Sequence, residues 1–221
     1  MSREIRITPS ILNADQEHLV EEIERVAKVS DLLHLDIMDD IFVPNFTYDF
    51  ERACQLISQS SIPVDAHLMV VNADRIGPSY AHAGCASVTV HAEATENIPS
   101  TLRSIRSEGA RSGLAVKPGT EITDYAEIAD LVDMFLIMTV EPGLGGQSFM
   151  FDMVAKIERA KSMIGSRPIW LQVDGGISES TIEIATKAGA DTFVAGSAVF
   201  RSEDPAQIVQ QLRLLAQSVA R

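Results

Sequence analysis

The segment LLHLDIMDDIFVPN, residues 32–45, determines how the rest of the chain is interpreted. In its first half, leucine and isoleucine alternate with other residues, which is typical of a β-strand with one buried face. Side chains two residues apart in a strand point the same way, so His34, Asp36 and Met38 share the opposite face. An imidazole and a carboxylate placed in this way can hold one metal ion or one substrate. A strand with a solvated face is the alternative interpretation.

The composition indicates an ordered, acidic protein. Apolar residues make up 46% of the 221, which is sufficient for a full hydrophobic core. The formal net charge of −13 argues against a nucleic-acid partner, because contacts to a phosphate backbone need a basic face. A small anionic substrate remains compatible with this charge, since backbone N–H groups can hold a phosphate within an acidic protein.

The sequence shows no feature of a secreted or membrane protein. Residues 1–11 contain no apolar signal-peptide core, and no apolar run approaches the ~18 residues typical of a membrane span. The two cysteines, Cys54 and Cys85, form no CxxC pattern, so we expect free thiols in a reducing compartment. These features predict a soluble, cytoplasmic protein without a membrane partner.

Strand-like and helix-like segments alternate along the chain with short connections. The predicted strands cover residues 5–12, 32–38, 64–69, 87–91, 111–116, 133–140, 169–174 and 191–195. A predicted helix follows each strand: one from Asn13 or Asp15 to about residue 29, then 50–58, 74–83, 98–107, 121–130, 151–164, 179–188 and 205–219.

Alternation of strands and helices implies a parallel sheet of the α/β class. Eight such units predict a single (β/α)8 TIM barrel that spans residues 1–221 as one domain. A doubly wound open sheet is the structural alternative. The lack of a GxGxxG segment after the first predicted strand weakens that alternative.

Polar residues fall at the C-terminal ends of the predicted strands, where barrel enzymes carry their functional groups. Ser10 lies near the end of the first strand, His34 and Asp36 in the second, His67 in the third and Asp174 in the seventh. Two imidazoles and two carboxylates suit one divalent transition ion such as Zn, Mn, Fe or Co. Their spacing matches no short metal motif, so this prediction depends on the barrel.

Three glycine-rich segments also fall at the ends of late strands: 142–147, 174–176 and 195–197. Glycine lets the backbone approach an anion closely and direct N–H groups at it. Because the loops after strands seven and eight commonly bind phosphate in these barrels, we favour a phosphate site over simple tight turns.

With these residues assembled, the chain resembles the ribulose-phosphate 3-epimerase family. The matching segments are spread in the family's order over nearly the whole chain. They are Pro9–Leu12, His34–Asp39, Phe42–Asn45, Asp65–Met69, His91–Ala94, Met138–Gly143, Gly145–Gln147, Val173–Gly176 and Ala195–Ser197.

The resemblance implies a metal-dependent epimerase that interconverts D-ribulose 5-phosphate and D-xylulose 5-phosphate in the pentose phosphate pathway. It implies that His34, Asp36, His67 and Asp174 bind one divalent ion (Zn, Fe, Mn or Co). Asp36 and Asp174 would also exchange protons with C3 of the sugar through an enediolate, which agrees with the general chemistry of paired carboxylates. The family further implies homo-oligomers.

The resemblance also implies how the substrate, a small ketose phosphate, is held. Ser10 and His67 would touch it, and Met38, Met69 and Met138 would line the reacting centre. The remaining substrate-binding residues would be Gly143, Leu144, Gly145, Gly146, Asp174, Gly175, Gly176, Gly196 and Ser197.

The chain departs from the family pattern at a few positions. Asp40 and Ile41 stand where a glycine and then a polar residue are expected, Lys117 replaces a frequent asparagine, and Leu144 replaces a phenylalanine. The first departure affects the expected shape of the loop after the second strand. The alternatives are an epimerase of another ketose phosphate such as allulose 6-phosphate, a decarboxylase or aldolase on the same fold, and a sugar-phosphate sensor without turnover.

Overall fold

The computed structural model describes residues 4–220, which contain eight strands in one parallel sheet. Neighbouring strands pair in the order β1-β8-β7-β6-β5-β4-β3-β2. The strands are β1 (Arg6–Pro9), β2 (Leu33–Met38), β3 (Val64–Met69), β4 (Ser87–His91), β5 (Arg111–Val116), β6 (Met134–Met138), β7 (Trp170–Asp174) and β8 (Thr192–Ala195).

The sheet closes almost completely on itself. A parallel bridge between Ser10 and His34 joins the two strands at its ends, β1 and β2. A doubly wound sheet reverses its strand order at a switch point, and the pairing order within residues 4–220 contains no such reversal. The prediction of a (β/α)8 barrel is therefore confirmed, and the open sheet is excluded.

Helices lie between the strands, and all except the short helix Ser197–Phe200, which was not predicted, are close to their predicted positions. They are α1 (Leu19–Val26), α2 (Phe50–Gln59), α3 (Ala73–His82), α4 (Ile98–Ser107), α5 (Val154–Ile164), α6 (Ile182–Ala188), α7 (Ser197–Phe200) and α8 (Pro205–Val219). Asp204 caps α8 by accepting a hydrogen bond from the Gln207 backbone N–H, with Pro205 in the first turn as predicted. Within residues 4–220, no helix is long and apolar enough to cross a membrane.

Several predicted elements differ from the structure, including the sixth strand, which covers Met134–Met138, and α6, which begins at Ile182; three further differences have a clear physical cause. The first strand stops at Pro9, because the Ser10 side chain caps a 3-10 turn over Ile11–Asn13. The first helix starts at Leu19 instead of near Asp15, whose carboxylate caps a local turn by accepting from the Glu17 N–H. The predicted helix over 121–130 is a 3-10 segment, Ile122–Leu131, in which only two residues are fully buried, so little apolar surface supports an α-helix.

The alternation in β2 separates two environments. Leu33, Leu35 and Ile37 belong to the large core cluster that also contains residues of the surrounding helices. His34, Asp36 and Met38 occupy the opposite face, inside the barrel, and all three are buried as well. The barrel therefore places polar side chains in its interior, where each one needs a partner.

The loop after β2 keeps a glycine-like turn without a glycine. Asp40 has φ of 59°, in the left-handed region that glycine favours and aspartate tolerates better than most residues. Asp39 supports the turn, since its Oδ1 atom accepts hydrogen bonds from the backbone N–H groups of Ile41 and Phe42. Its Oδ2 atom accepts from the N–H of Val71, which ties the loop to the end of β3. The loop therefore adopts the turn expected for a glycine although Asp40 occupies that position.

Candidate active site

Four side chains converge inside the barrel near the C-terminal ends of the strands. His34 and Asp36 come from β2, His67 from β3 and Asp174 from the end of β7. One candidate ligand atom from each lies within 4.8 Å of the others. The structure thus brings together the four residues that the sequence suggested as metal ligands.

The short distances connect the imidazoles to the carboxylates. His34 Nε2 is 3.4 Å from Asp36 Oδ1 and 3.8 Å from Asp174 Oδ2. His67 Nδ1 is 3.3 Å from Asp36 Oδ1 and 3.5 Å from Asp174 Oδ2. The two imidazole nitrogens that face the cluster are 3.4 Å apart. All four atoms therefore point at one small volume.

The strand register explains this convergence. Asp36 pairs with His67 across β2 and β3, and Asp174 pairs with Met138 across β6 and β7. His34 lies one pleat below Asp36 on the same face. The imidazoles are fully buried, whereas the Asp36 and Asp174 side chains are 4% and 17% exposed. Asp174 is therefore the most solvent-accessible member of the cluster.

A buried carboxylate outside the cluster orients His34. Asp65 Oδ2 lies 2.9 Å from His34 Nδ1, and Asp65 also accepts hydrogen bonds from Ser87 Oγ and Gln172 Nε2. An ionised carboxylate only accepts hydrogen bonds, so His34 Nδ1 carries a proton, and in the neutral ring the lone pair of Nε2 faces the cluster. Histidines that bind metals are commonly oriented by a carboxylate in this way.

The electrostatics of the cluster favour a cation. Burial alone would lower the pKa of His34, but the carboxylates of Asp36 and Asp65 outweigh burial and raise it well above its ordinary value. Burial would raise the pKa of Asp36, but the imidazoles of His34 and His67 outweigh burial and lower it. Since two imidazole nitrogens and two carboxylates are a donor set that divalent transition ions accept, these residues fit a bound metal ion.

One cavity opens above the cluster at the mouth of the barrel. Asp36 and Asp174 form part of its wall, so the two carboxylates reach both the cluster and the cavity. The other residues predicted at the site that line this cavity are Ser10, Met38, Met69, Met138, Gly143, Leu144, Gly145, Gly146, Gly175, Gly176, Gly196 and Ser197.

Two predicted substrate contacts differ in their placement. The Ser10 hydroxyl lines the cavity and donates a hydrogen bond to Asp36 Oδ2 at 2.5 Å. His67 is fully buried and does not contribute to the cavity wall. Its contact with the substrate therefore stays a prediction.

Several glycines in these segments leave little room for a side chain. A Cβ atom on Gly176, which has φ of 67°, would lie 2.3 Å from the backbone N of Phe149. A Cβ atom on Gly145 or Gly196 would lie 2.6 or 3.0 Å from the Asn13 side chain. This packing explains why glycine is needed at these positions, and the absence of side chains allows a ligand to approach the backbone at the cavity wall.

Several residues near the cluster were not predicted from the sequence. Asp65 shares a strand face with His67, and that alternation was a signal that could have revealed it. Arg201 was also missed; its Nη2 atom is 3.2 Å from where a Cβ of Gly146 would lie. Among residues 4–220, this guanidinium has no hydrogen-bond or ion-pair partner. It is a free positive charge beside the glycine loops.

The fold and the site define an enzyme of the (β/α)8-barrel class with a buried His–Asp cluster at its mouth. A family model described as the ribulose-phosphate 3 epimerase family matches residues 6–200. The chain belongs to that family, and it is accordingly an isomerase of the epimerase type.

Named relatives agree with this assignment. A ribulose-phosphate 3-epimerase from Mycobacterium leprae (strain TN) is 46% identical over 216 residues, which cover 97% of this chain and 96% of that protein. One from Bacillus subtilis (strain 168) is 36% identical over 213 residues, which cover 95% of this chain and 98% of that protein.

Solved structures at low identity share the fold. A 3-keto-L-gulonate-6-phosphate decarboxylase from Vibrio cholerae matches with a TM-score of 0.75 at 16% identity, over 99% of this chain and 100% of that chain. A 3-hexulose-6-phosphate synthase matches with a TM-score of 0.72 at 19% identity, over 96% of this chain and 99% of that chain. At such identities the likeness concerns the barrel alone.

Proposed function

We propose that this protein interconverts D-ribulose 5-phosphate and D-xylulose 5-phosphate by moving a proton at C3 of the sugar. The observation that carries the proposal is the placement of Asp36 and Asp174. They come from β2 and β7, and both line the cavity while belonging to the buried cluster. Family membership supports the choice of substrate.

Proton transfer would use the two carboxylates in turn. One removes the proton from C3 on one side of the sugar, which leaves an enediolate, and the other returns a proton to the opposite side. For either direction to work, one carboxylate starts ionised and the other protonated. The Ser10 hydroxyl, at 2.5 Å from Asp36 Oδ2, holds that carboxylate in a fixed orientation toward the cavity.

His34, Asp36, His67 and Asp174 would hold the divalent metal ion. When bound, such an ion supplies a Lewis acid that stabilises negative charge developing on substrate oxygens. The imidazoles contribute neutral nitrogen donors, while the two aspartates contribute charge that balances the cation. The identity of the ion is left open among Zn, Fe, Mn and Co.

The remaining cavity residues would position the sugar phosphate. Met38, Met69 and Met138 give the reacting carbon soft, uncharged walls that do not compete for its protons. The backbone N–H groups of the late glycine loops would hold the phosphate, with Arg201 supplying nearby positive charge. We further infer from family membership that the protein is a single-domain, cytoplasmic homo-oligomer.

An activity assay tests the proposal directly. Purified protein loaded with Zn, Fe, Mn or Co is given D-ribulose 5-phosphate, and D-xylulose 5-phosphate is measured over time. We expect rapid conversion, together with much slower turnover of D-allulose 6-phosphate. A protein that converts neither sugar with any of the four ions is not an epimerase of this kind, whereas faster turnover of the hexulose phosphate would change the substrate.

A further inference from the structure

A second histidine and a glutamate lie behind His67, on the side away from the cluster. His91 is fully buried, and its ring lies edge to edge with that of His67, with a centroid distance of 5.0 Å and an interplanar angle of 26°. The Nε2 atoms of the two imidazoles are 2.9 Å apart. His91 Nδ1 is 3.1 Å from Glu93 Oε2, and Glu93 Oε1 accepts the backbone N–H of Lys117 at 2.7 Å.

The hydrogen-bond chemistry of this chain of groups has one consistent solution. The ionised carboxylate of Glu93 can only accept, so His91 Nδ1 carries a proton. His91 is fully buried and contacts a single carboxylate, whereas His34 and His67 each contact two or more, so burial favours its neutral form and leaves a lone pair on Nε2. His67 Nε2 must then be the donor across the 2.9 Å contact. In the neutral ring, His67 Nδ1 is then free of a proton and can offer its lone pair to a metal ion held with Asp36 and Asp174.

We propose that His91 and Glu93 are positioning residues that fix His67 in the tautomer with the proton on Nε2. They would thereby keep Nδ1 of His67 available as a metal ligand. Asp65 acts on His34 in the same way through a single carboxylate, which keeps Nε2 of His34 available. The inference rests on the metal site of the proposed function. It adds two residues to that site which touch neither the cluster volume nor the cavity.

The Glu93→Gln variant provides the sharpest test. It keeps the size and shape of the side chain but reverses the direction of the hydrogen bonds from Glu93 through His91 to His67. The N–H of Lys117 requires an oxygen at the Oε1 position, so the new amide nitrogen would replace Oε2 and face His91 Nδ1. His91 would then carry its proton on Nε2 and donate to His67. That would move the His67 proton to Nδ1, toward the carboxylates.

Two readouts follow this reversal. Nitrogen-15 NMR of the metal-free protein, recorded at a pH above the raised pKa of His67 so that the ring is neutral, reports which imidazole nitrogen carries the proton. Calorimetric titration with Co²⁺ or Zn²⁺ reports metal affinity. We expect the His67 proton on Nε2 in the parent protein and on Nδ1 in Glu93→Gln. Metal affinity should fall by roughly 10–100-fold, the usual range for losing an outer partner of a metal-binding histidine.

His82→Gln is the matched control. His82 also pairs with a glutamate, Glu108, at 2.9 Å, but it is exposed on α3 and far from the cluster. This variant should change neither the tautomer of His67 nor the metal affinity. His91→Gln, checked for folding by circular dichroism, should also bind metal more weakly.

The outcomes separate this inference from the proposed function. A proton on Nδ1 in the neutral His67 ring of the parent protein would overturn the inference, whether or not the protein binds metal. So would a Glu93→Gln variant with the parent tautomer and the parent metal affinity. If the parent protein shows the Nε2 proton but binds no divalent ion, the metal site of the proposed function fails while the tautomer assignment stands.

Discussion

The two sides of the barrel mouth are built by different means. On the side of β2 and β3, charged and imidazole side chains are buried and held by hydrogen bonds, as in the contact between His34 and Asp65. On the side of β6 to β8, the wall contains six glycines, of which Gly145 and Gly146 are exposed. Buried side chains can fix the position of a reacting atom, while exposed backbone N–H groups can hold an anion.

This difference predicts which kinetic constant a substitution on each side should change. Changes on the β2 and β3 side should reduce kcat, because they disturb groups that act on the reacting carbon. Changes on the glycine side should raise KM and leave kcat closer to normal, because they disturb only how the substrate is held. Asp174, at the end of β7, lies on the glycine side but belongs to the cluster. Its substitution should therefore reduce kcat, as changes on the β2 and β3 side do.

Removal of the metal ion should have the largest effect. Dialysis against a chelator is expected to abolish turnover, and adding back one of the four candidate ions should restore it. Burial would lower the pKa of His67, but the carboxylates of Asp174 and Asp36 raise it, so protons compete for its ring up to a higher pH than usual. Metal affinity measured by titration should therefore weaken as the pH falls through that raised pKa.

Metal analysis by mass spectrometry provides the control for the chelation experiment. The activity lost should follow the metal content of the sample. Full turnover by protein shown to contain no metal would contradict the proposed role of the cluster.

Replacement of either carboxylate should have the next largest effect. Asp36→Asn or Asp174→Asn removes a proton-transfer group and should lower kcat by about 10²–10⁴-fold. Metal content must be measured in each variant, since an amide is also a weaker ligand. A variant that kept both its metal and near-normal kcat would show that the residue transfers no proton.

A charge placed in the glycine wall should affect binding instead of chemistry. Gly196 has φ of −99°, so a larger residue causes no backbone strain there, although its Cβ would crowd the Asn13 side chain. Gly196→Asp is expected to raise KM steeply while circular dichroism shows an intact fold. Gly196→Ala serves as the control for bulk without charge. Normal substrate binding by folded Gly196→Asp would place the phosphate elsewhere.

Loss of the free positive charge beside the glycines should have the smallest effect. Arg201→Gln should raise KM by roughly three- to tenfold, since a single exposed charge near the phosphate contributes modestly in water. Arg201→Lys should retain most of the affinity, and Arg103→Gln on α4 is the control for net charge. Equal KM values for Arg201→Gln and Arg103→Gln would remove Arg201 from the site.

The barrel and its cluster were predictable because they follow from periodic patterns. Alternation along residues 33–38 determined which side chains of β2 face inward. Eight alternating units implied that the strand ends meet at one end of a barrel, and this brought His67 and Asp174 to the same place. The fold class alone therefore places these residues together.

The supporting residues could not be predicted in the same way. The contact between His34 and Asp65 depends on the register of β2 and β3, and the contact between His67 and His91 depends on that of β3 and β4. A shift of one residue would turn either partner to the other face of the sheet, and hydrophobic patterns of strands buried on both faces do not specify that register. Arg201 depends on the path of two loops, for which the sequence offers no periodic signal.

The central claim is that two carboxylates on different sides of the sugar exchange protons with C3. Epimerisation of D-ribulose 5-phosphate in D₂O tests it most directly, with deuterium at C3 measured by mass spectrometry early in the reaction. The account predicts that early product carries solvent deuterium at C3 while unreacted substrate stays largely unlabelled. Early product that keeps most of the original hydrogen would mean that one base returns the same proton, and the two-carboxylate account would be contradicted.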